Sequence, residues 1–234
     1  MKRTILLVVF VVACVGFIAL AVWQLERRVW KLDLIARVDA RVHAPPVLIP
    51  PSSEWPSINA ADDEYRHVKL RGHYLHDQAT LVDALTDAGP GAWVLTPLVT
   101  ADGTVLINRG FVAKDHEQDI ERPEGERTVT GLLRMSEPGG RFLRANRPQD
   151  GAWYSRDVVA IASARKLGAV APFFVDADTT PGGPYPIGGL TVIRFRNMHL
   201  LYAITWFALA GLSAAGVALV LRKSSPAPRD AAPD

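Results

Sequence analysis

Residues 4–25 read TILLVVFVVACVGFIALAVWQL, and residues 197–221 read NMHLLYAITWFALAGLSAAGVALVL. Neither run contains Asp, Glu, Lys or Arg. Each run exceeds the ~20 residues that a helix needs to cross a hydrocarbon layer ~30 Å thick. We therefore expect two transmembrane helices that flank a polar body.

The first apolar run also has some features of a secretory signal peptide. Lys2 and Arg3 precede it, and residues 19–21 (ALA) offer a small-x-small cleavage site. Its apolar core is longer than the ~7 to 15 residues of a usual signal, and Trp23 and Gln24 end it with interfacial chemistry. We favour an uncleaved anchor.

Basic residues beyond the two runs predict the orientation. Lys2, Arg3, Arg222 and Lys223 place both ends of the chain in the cytoplasm by the positive-inside rule. The predicted segments are residues 1–3 in the cytoplasm, 4–25 in the membrane, 26–196 outside the cytoplasm, 197–221 in the membrane and 222–234 as a disordered cytoplasmic tail.

The outer flanks of the two runs carry at least as many cations as the inner flanks. These outer cations are Arg27, Arg28, Lys31, Arg194 and Arg196. Because they oppose the topology signal, they call for a separate explanation.

The polar body has the pattern of a strand-rich domain, so the expected fold class is an α+β membrane protein. Short runs rich in Val, Leu, Tyr, Phe and Thr predict strands over 64–74, 79–83, 92–100, 104–112, 127–135 and 171–176. Residues 101–103 (ADG) predict a hairpin turn. Ser155 as N-cap and Gly168 as stop predict a helix over 156–167. The first transmembrane helix is expected to continue to Val42, before the prolines at 45–56.

Composition excludes several chemistries for the polar body. The only cysteine is Cys14 in the first apolar run, which leaves no disulfide, cysteine zinc site or c-type haem attachment outside the membrane. A net charge of +2 without a basic face argues against nucleic acid as a partner. Nucleophile-elbow, phosphate-loop and His-Glu-x-x-His motifs are absent, so we expect no enzyme. An anchored hydrolase would have only scattered Ser, His and Asp to support it.

Two minor candidates lie in the polar body. His67, His73, His76 and Asp77 imitate a metal cluster, but strand alternation points His76 away from the other two histidines, and solvated positions are the favoured interpretation. Arg109 alternates onto the same strand face as its apolar neighbours. It either lies at an edge or is buried with a carboxylate.

The main candidate site is His199, which opens the second run at a membrane boundary. An imidazole there is costly beside lipid unless it has a partner. Tyr202, Trp206 and Leu209 follow at offsets of three, seven and ten, which return to nearly the same helix face. His199 therefore has two aromatic side chains on its own face.

A matching face is predicted on the first helix. Trp23, Arg27 and Trp30 share a face at offsets of four and seven, at the same outer depth. The combined set suits a haem, because imidazole ligates iron, aromatic rings cover the macrocycle and arginines pair with propionates. The alternative is ordinary interfacial chemistry, since Trp, Tyr, His and Arg gather at every membrane surface.

Seven blocks of the sequence form a recognisable series along most of the chain. They are Trp23-Gln24-Leu25, Tyr65-Arg66-His67-Val68-Lys69-Leu70-Arg71-Gly72, Val94-Leu95-Thr96-Pro97-Leu98, Leu106-Ile107-Asn108-Arg109-Gly110-Phe111-Val112, Trp153-Tyr154-Ser155-Arg156-Asp157, Pro181-Gly182-Gly183-Pro184 and residues 196–207 (RNMHLLYAITWF). In order and spacing these blocks resemble the surfeit locus protein 1 family of cytochrome c oxidase assembly factors.

The resemblance implies a two-pass protein of the bacterial inner membrane, with a periplasmic domain, that binds haem a and helps to place it in oxidase subunit I. His199 inherits the role of tentative ligand to the haem iron. Tyr202, Trp206 and Trp23 are then pocket wall, and Arg27 and Arg194 are candidate propionate partners.

The implied partners are oxidase subunit I, haem a synthase and membrane lipid. Many members of the family have Asn-Asn-His or Asn-Glu-His where this chain has Asn197-Met198-His199, so a polar role at position 198 is not expected. The alternative function is a structural scaffold that clamps nascent oxidase subunits without handling haem.

Overall fold

The computed structural model describes residues 2–141, 143–178, 185–191, 193 and 195–222. The chain forms two compact units, one made of residues 1–37 with 194–234 and the other of Val38–Ile193. The Pro181–Pro184 block, Arg194 and the predicted disordered tail after Arg222 lie outside the described residues.

Two long helices form the core of the first unit. Helix α1 covers Lys2–Val42, and helix α4 covers His199–Arg222. Both are long and apolar enough to cross a membrane, as their length and composition show. The continuation of α1 to Val42 is confirmed, because Leu32, Ile35 and Val38 extend a helical spacing past the apolar run.

The two helices pack antiparallel. Their contacts run in opposite chain directions, from Phe10 against Gly216, through Phe17 stacked on Trp206 at 5.7 Å, to Gln24 bonded to His199. Small side chains line the contact, since Ala21, Ala203, Ala210 and Ser213 are buried between the helices. Small residues let two helix backbones approach closely where lipid offers no hydrophobic driving force.

The second unit is built on seven strands. They are β1 Val47–Leu48, β2 His67–Tyr74, β3 Thr80–Thr86, β4 Gly89–Thr100, β5 Gly103–Ala113, β6 Glu126–Met135 and β7 Val170–Ala177. Their order in the sheet is β1-β2-β6-β7-β5-β4-β3, and β2 pairs in addition with β4. Strands β2, β6, β7, β5 and β4 therefore close into a barrel. The pairs β1–β2 and β5–β7 are parallel, and the others are antiparallel.

Alternate side chains of the closing strands fill the barrel. The interior residues include Val68, Leu70, Leu98, Val105, Ile107, Val129, Leu133, Phe173 and Val175. Trp55, on a short 3₁₀ helix Ser52–Ser57, packs edge-on to Phe173 at 6.2 Å and donates its indole N–H to the Pro50 carbonyl at 3.1 Å. The buried indole thus has its hydrogen bond satisfied inside an apolar cluster.

A second apolar layer lies outside the barrel. Helix α3, Val158–Ala164, packs Val158 and Ile161 against Phe174 and Leu106. The predicted helix over 156–167 is therefore shorter than expected, and its cap is wrong. Asp157 is the N-cap and accepts from the Ala160 N–H at 3.1 Å.

The reason for the wrong cap is a competing hydrogen bond. The Ser155 hydroxyl instead accepts from the Gly140 N–H and the Asn146 amide, both at 3.0 Å. At the other end, Lys166 has a φ of +53°, and this left-handed backbone ends the helix. Sequence spacing identified the helix, while neighbouring loops set its ends.

The six predicted strands all exist, with shifted ends. Strand β2 begins at His67 rather than at residue 64, because Ala60–Asp63 form a short helix α2 capped by Asn59. Strand β3 continues to Thr86, and β4 begins at Gly89. Strand β1 and α2 were not predicted, since two to four residues carry no readable period.

Gly72 and Gly110 are required by close backbone approach. A Cβ on Gly72 would lie 2.2 Å from the Val99 carbonyl oxygen. Gly110 has a φ of +131°, and its Cβ would lie 2.2 Å from the Ile187 oxygen. A side chain at either position would therefore disrupt the packing of the barrel wall.

A buried charge cluster joins β5, β6 and β7. The Asp176 carboxylate is 3% exposed. It accepts from Asn108 at 2.7 Å, Arg134 at 2.8 Å, Thr191 at 3.0 Å and Arg156 at 3.2 Å. The four donors together bond to both carboxylate oxygens, and the two arginines among them balance the negative charge of Asp176.

Two further carboxylates complete this charge cluster. Glu64 pairs with Arg134 at 2.9 Å, and Glu137 pairs with Arg156 at 2.6 Å. Burial lowers the pKa of Arg134, but the charges of Asp176 and Glu64 outweigh it and leave that pKa raised. Paired in this way, Arg134 stays charged inside the unit.

Candidate functional site

His199 lies on the face of α4 that packs against α1. Its Nδ1 donates to Oε1 of Gln24 at 2.7 Å. The residues one and two turns further along this face, Ala203 and Trp206, also face α1. The imidazole is therefore held between the helices rather than turned outward.

An open cleft of about 310 Å³ lies beside this hydrogen bond. It is lined by Gln24, Arg196, Met198, His199 and Tyr202. The lining combines an imidazole, a guanidinium, a phenol and a thioether. Such a mixture of apolar surface with a few polar groups is typical of small-molecule sites.

The structure places His199 and Tyr202 together in the cleft and Trp206 deeper in the helix pair. Trp206 stacks on Phe17, and its indole N–H is buried with no hydrogen-bond partner in the part of the chain that the structure describes. Trp206 shares the helix face of His199, as its offset of seven predicts, but it does not line the cleft.

The predicted face of α1 is wrong. Trp23 and Trp30 are 53% and 45% exposed, and Arg27 lies over the Trp30 ring at 3.9 Å on that outer face. Gln24 is the residue that meets His199. One step along a helix rotates a side chain by ~100°, so the Trp23 set points away from α4 when Gln24 points toward it.

Sequence reasoning missed Gln24, Arg196 and Met198 as members of the site. Gln24 carried a usable signal, because it is an amide near the end of an apolar run in which the nearest charge on its N-terminal side is Arg3. Such a residue in a membrane segment usually faces a partner. Arg196 takes the cleft position that was predicted for arginines at 27 and 194, of which Arg194 lies outside the described residues.

Comparisons with known proteins agree with the sequence motifs. A sequence profile of the SURF1 family matches residues 11–211, which is most of the chain. The chain belongs to the SURF1 family.

Individual relatives support the same assignment. The chain is 39% identical to Surfeit locus protein 1 of Rattus norvegicus over 87% of its own length and 71% of that protein. It is 37% identical to Surfeit locus protein 1 of Homo sapiens, over 87% and 72%. A SURF1-like protein of Monosiga brevicollis is 33% identical, over 87% and 83%. The resemblance seen in the motifs is thus confirmed.

Two histidines in the barrel unit of this SURF1 family member have protein hydrogen-bond partners. His67 donates from Nδ1 to the Ala44 carbonyl at 2.7 Å and from Nε2 to Asp178 at 2.8 Å. Burial lowers the pKa of His67, but the two hydrogen bonds and the Asp178 charge outweigh it and raise the pKa above 6.5. His76 lies against the Pro123 carbonyl at 3.0 Å. No three His, Cys, Asp or Glu side chains converge as metal ligands among the described residues.

Arg109 is buried rather than at an edge. The residue is 1% exposed, its guanidinium lies over the Tyr74 ring at 5.2 Å, and it lines a cavity of about 490 Å³. Burial lowers the pKa of Arg109 and raises that of Tyr74 to about 12, so the phenol stays neutral. Asp77 and Arg122 pair at 3.3 Å on the rim of this cavity.

Proposed function

We propose that this protein is an assembly factor for cytochrome c oxidase that binds haem a at His199 and delivers it to oxidase subunit I. Membership of the SURF1 family implies the role in oxidase assembly. The observation that carries the haem proposal is the position of His199. Its Nδ1 is bonded to Gln24, and Nε2 has no protein partner among the residues described.

The residues of the cleft fit haem a as a cargo. Haem iron takes a neutral imidazole nitrogen as an axial ligand, and propionates pair with guanidinium groups. His199 would supply the nitrogen, and Arg196 would meet a propionate. Met198 and Tyr202 add apolar surface beside them. An open cleft suits a carrier, because the cargo has to leave for the oxidase.

A contact between Arg196 and a propionate would explain why this cation lies at the outer end of the second apolar run. Arg28 and Lys31 lie on the same α1 face as Gln24, at offsets of four and seven. A cluster of cations at the outer end of the helix pair opposes the positive-inside rule. It is expected where the acidic groups of a cargo have to be held.

His199→Ala tests the haem proposal. Protein purified in mild detergent from cells that make haem a should carry haem a bands, and the variant should lose most of them, because no second imidazole lines the described cleft. Haem a content is measured by absorbance and by extraction. The matched control is His43→Ala, an exposed imidazole near the end of α1, which should keep the bands.

Two results would contradict the proposal. Unchanged bands in His199→Ala would remove the ligand assignment. Normal oxidase assembly in cells carrying that variant, with assembly lost on changes in the barrel unit, would favour the structural scaffold.

We propose further that the protein spans the inner membrane of a bacterium twice, with both ends in the cytoplasm and the barrel unit in the periplasm. The two apolar helices and the basic residues beyond them support this arrangement. Topology reporters placed within residues 45–56 and after Asp234 test it. A cytoplasmic signal from the 45–56 fusion would contradict the orientation.

A further inference from the structure

The hydrogen bond between Gln24 and His199 determines which imidazole nitrogen carries the proton. The carbonyl oxygen of an amide accepts hydrogen bonds and does not donate them. At 2.7 Å from Oε1 of Gln24, Nδ1 of His199 is therefore the protonated nitrogen. In a neutral imidazole the lone pair then lies on Nε2.

The surroundings make this arrangement stable. Gln24 and His199 are polar side chains on two packed apolar helices, where each would be costly beside lipid without the other. Phe17 stacked on Trp206 and the buried Ala21 and Ala203 hold the helices together below the bond. The ring orientation is thus set by the packing of the helix pair.

We propose that Gln24 is a positioning residue, which holds His199 with Nε2 available to haem iron and, being a neutral amide, keeps that bond weak enough for the cargo to be released. This inference rests on the proposed function. A carboxylate partner raises the basicity of a ligating imidazole, and changes at such partners typically alter metal affinity by ~10- to 100-fold. An uncharged partner orients the ring with less strengthening of the iron bond.

The first experiment uses the protein without haem. Nitrogen NMR of ¹⁵N-histidine-labelled full-length protein at pH 8 reports the tautomer, with the His199 signal assigned by its absence in His199→Ala. Wild type should have the proton on Nδ1, and Gln24→Leu should show a mixture of tautomers. A proton on Nε2 in wild type would overturn the inference.

The second experiment uses the haem a complex. Gln24→Leu should bind haem a ~10-fold or more weakly, because the ring is no longer oriented. Gln24→Glu should restore binding, with a lower midpoint potential and slower transfer to an acceptor haem protein, because the carboxylate strengthens the axial bond. Val22→Ala, a lipid-facing change two residues away, is the control and should match wild type.

The outcomes separate the inference from the function on which it rests. If His199→Ala loses haem a while Gln24→Leu keeps wild-type affinity and potential, only the role of Gln24 fails. If Gln24→Glu releases haem a as fast as wild type, the neutral amide is not what permits release. If wild type binds no haem a, the proposed function fails and this role fails with it.

Discussion

His67 in the barrel unit and His199 in the helix pair differ in how many ring nitrogens the protein uses. Both nitrogens of His67 meet protein acceptors, Ala44 and Asp178. His199 uses one nitrogen on Gln24, and the other has no partner among the described residues. A buried polar group whose hydrogen-bonding atoms all have protein partners stabilises the fold. A group that keeps one such atom unpaired can bind a ligand with it.

The same contrast holds for the two units as a whole. Asp176 in the barrel unit is 3% exposed and accepts hydrogen bonds from four donors. The helix pair has most of its apolar side chains outside, with 6% and 11% of its two apolar spans buried, and its fully buried residues are small. This exposed apolar surface fits the proposed two-pass membrane protein, because contact with water would be unfavourable for it.

The largest expected effect tests whether the Asp176 cluster is structural. Asp176→Asn removes the charge that Arg134 and Arg156 share, and breaking a buried ion pair costs ~3 to 5 kcal/mol. We expect the free energy of unfolding of the barrel unit to fall by about 3 kcal/mol. Denaturant unfolding of the full chain in detergent, followed by near-UV circular dichroism, measures it.

Asp102→Asn is the control for this change. Asp102 is exposed in the hairpin turn, so its substitution should alter stability by less than ~0.5 kcal/mol. If Asp176→Asn unfolded like wild type and yet lost haem a, the contrast between a structural barrel unit and a ligand-binding helix pair would be wrong, because the Asp176 cluster would then contribute to haem binding.

The second prediction separates the two units. Ala203 is 1% exposed at the helix contact, and Ala203→Leu adds bulk where overpacking costs ~1 to 3 kcal/mol. The helices should move apart, the Gln24–His199 bond should lengthen, and the haem a bands should weaken. The unfolding of the barrel unit should stay unchanged.

Ala208→Leu is the matched control for Ala203→Leu, since Ala208 lies on the exposed face of the same helix. It should keep the haem a bands at wild-type strength. Equal losses in both variants would mean that bulk anywhere on α4 is harmful, and the helix contact would lose its special role.

The smallest effect concerns His67 and depends on pH. Its pKa is raised in the folded protein above 6.5, so the stabilisation that it gives is complete below pH 6.5 and is lost as pH rises through the folded pKa. His67→Gln should cost about 1 kcal/mol at pH 6 and progressively less at higher pH.

Unfolding curves of wild type and variant across pH 5.5 to 9 test this difference. His73→Gln, an exposed change on the same strand, should leave stability within ~0.5 kcal/mol. A His67 difference that grew with pH would show that its two hydrogen bonds do not hold a charged ring.

Much of the barrel unit was predictable from local pattern. Strands β2 to β7 each carry a run of β-forming residues between Gly or Asp, and the 101–103 turn joins β4 to β5 as expected. The pairing of β2 with β4 was not predictable, because it joins His73 to Val99 across the chain and leaves no periodic trace in either strand. Barrel closure is therefore a result of the whole sheet.

The site was predictable in part. His199 stood out because an imidazole at the start of an apolar run is rare, and its offset to Trp206 identified the correct face of α4. The face of α1 was not determined by spacing, because Trp23, Arg27 and Trp30 satisfy the same offsets as Gln24, Arg28 and Lys31. The prediction favoured the Trp23 face of α1 because of its aromatic residues, but that face points away from α4.

By itself, the amino-acid sequence determined the two apolar helices, most of the strands and the family, and it singled out His199 as the candidate site. These follow from residue type and from spacing along a single element, which are local properties. Only the tertiary structure decided that α1 turns Gln24 toward α4, that the sheet closes, and that His67 and His199 differ in the bonds left to them. Each of these depends on a partner from a distant part of the chain, and hydrophobic periodicity contains no information about which partner that is.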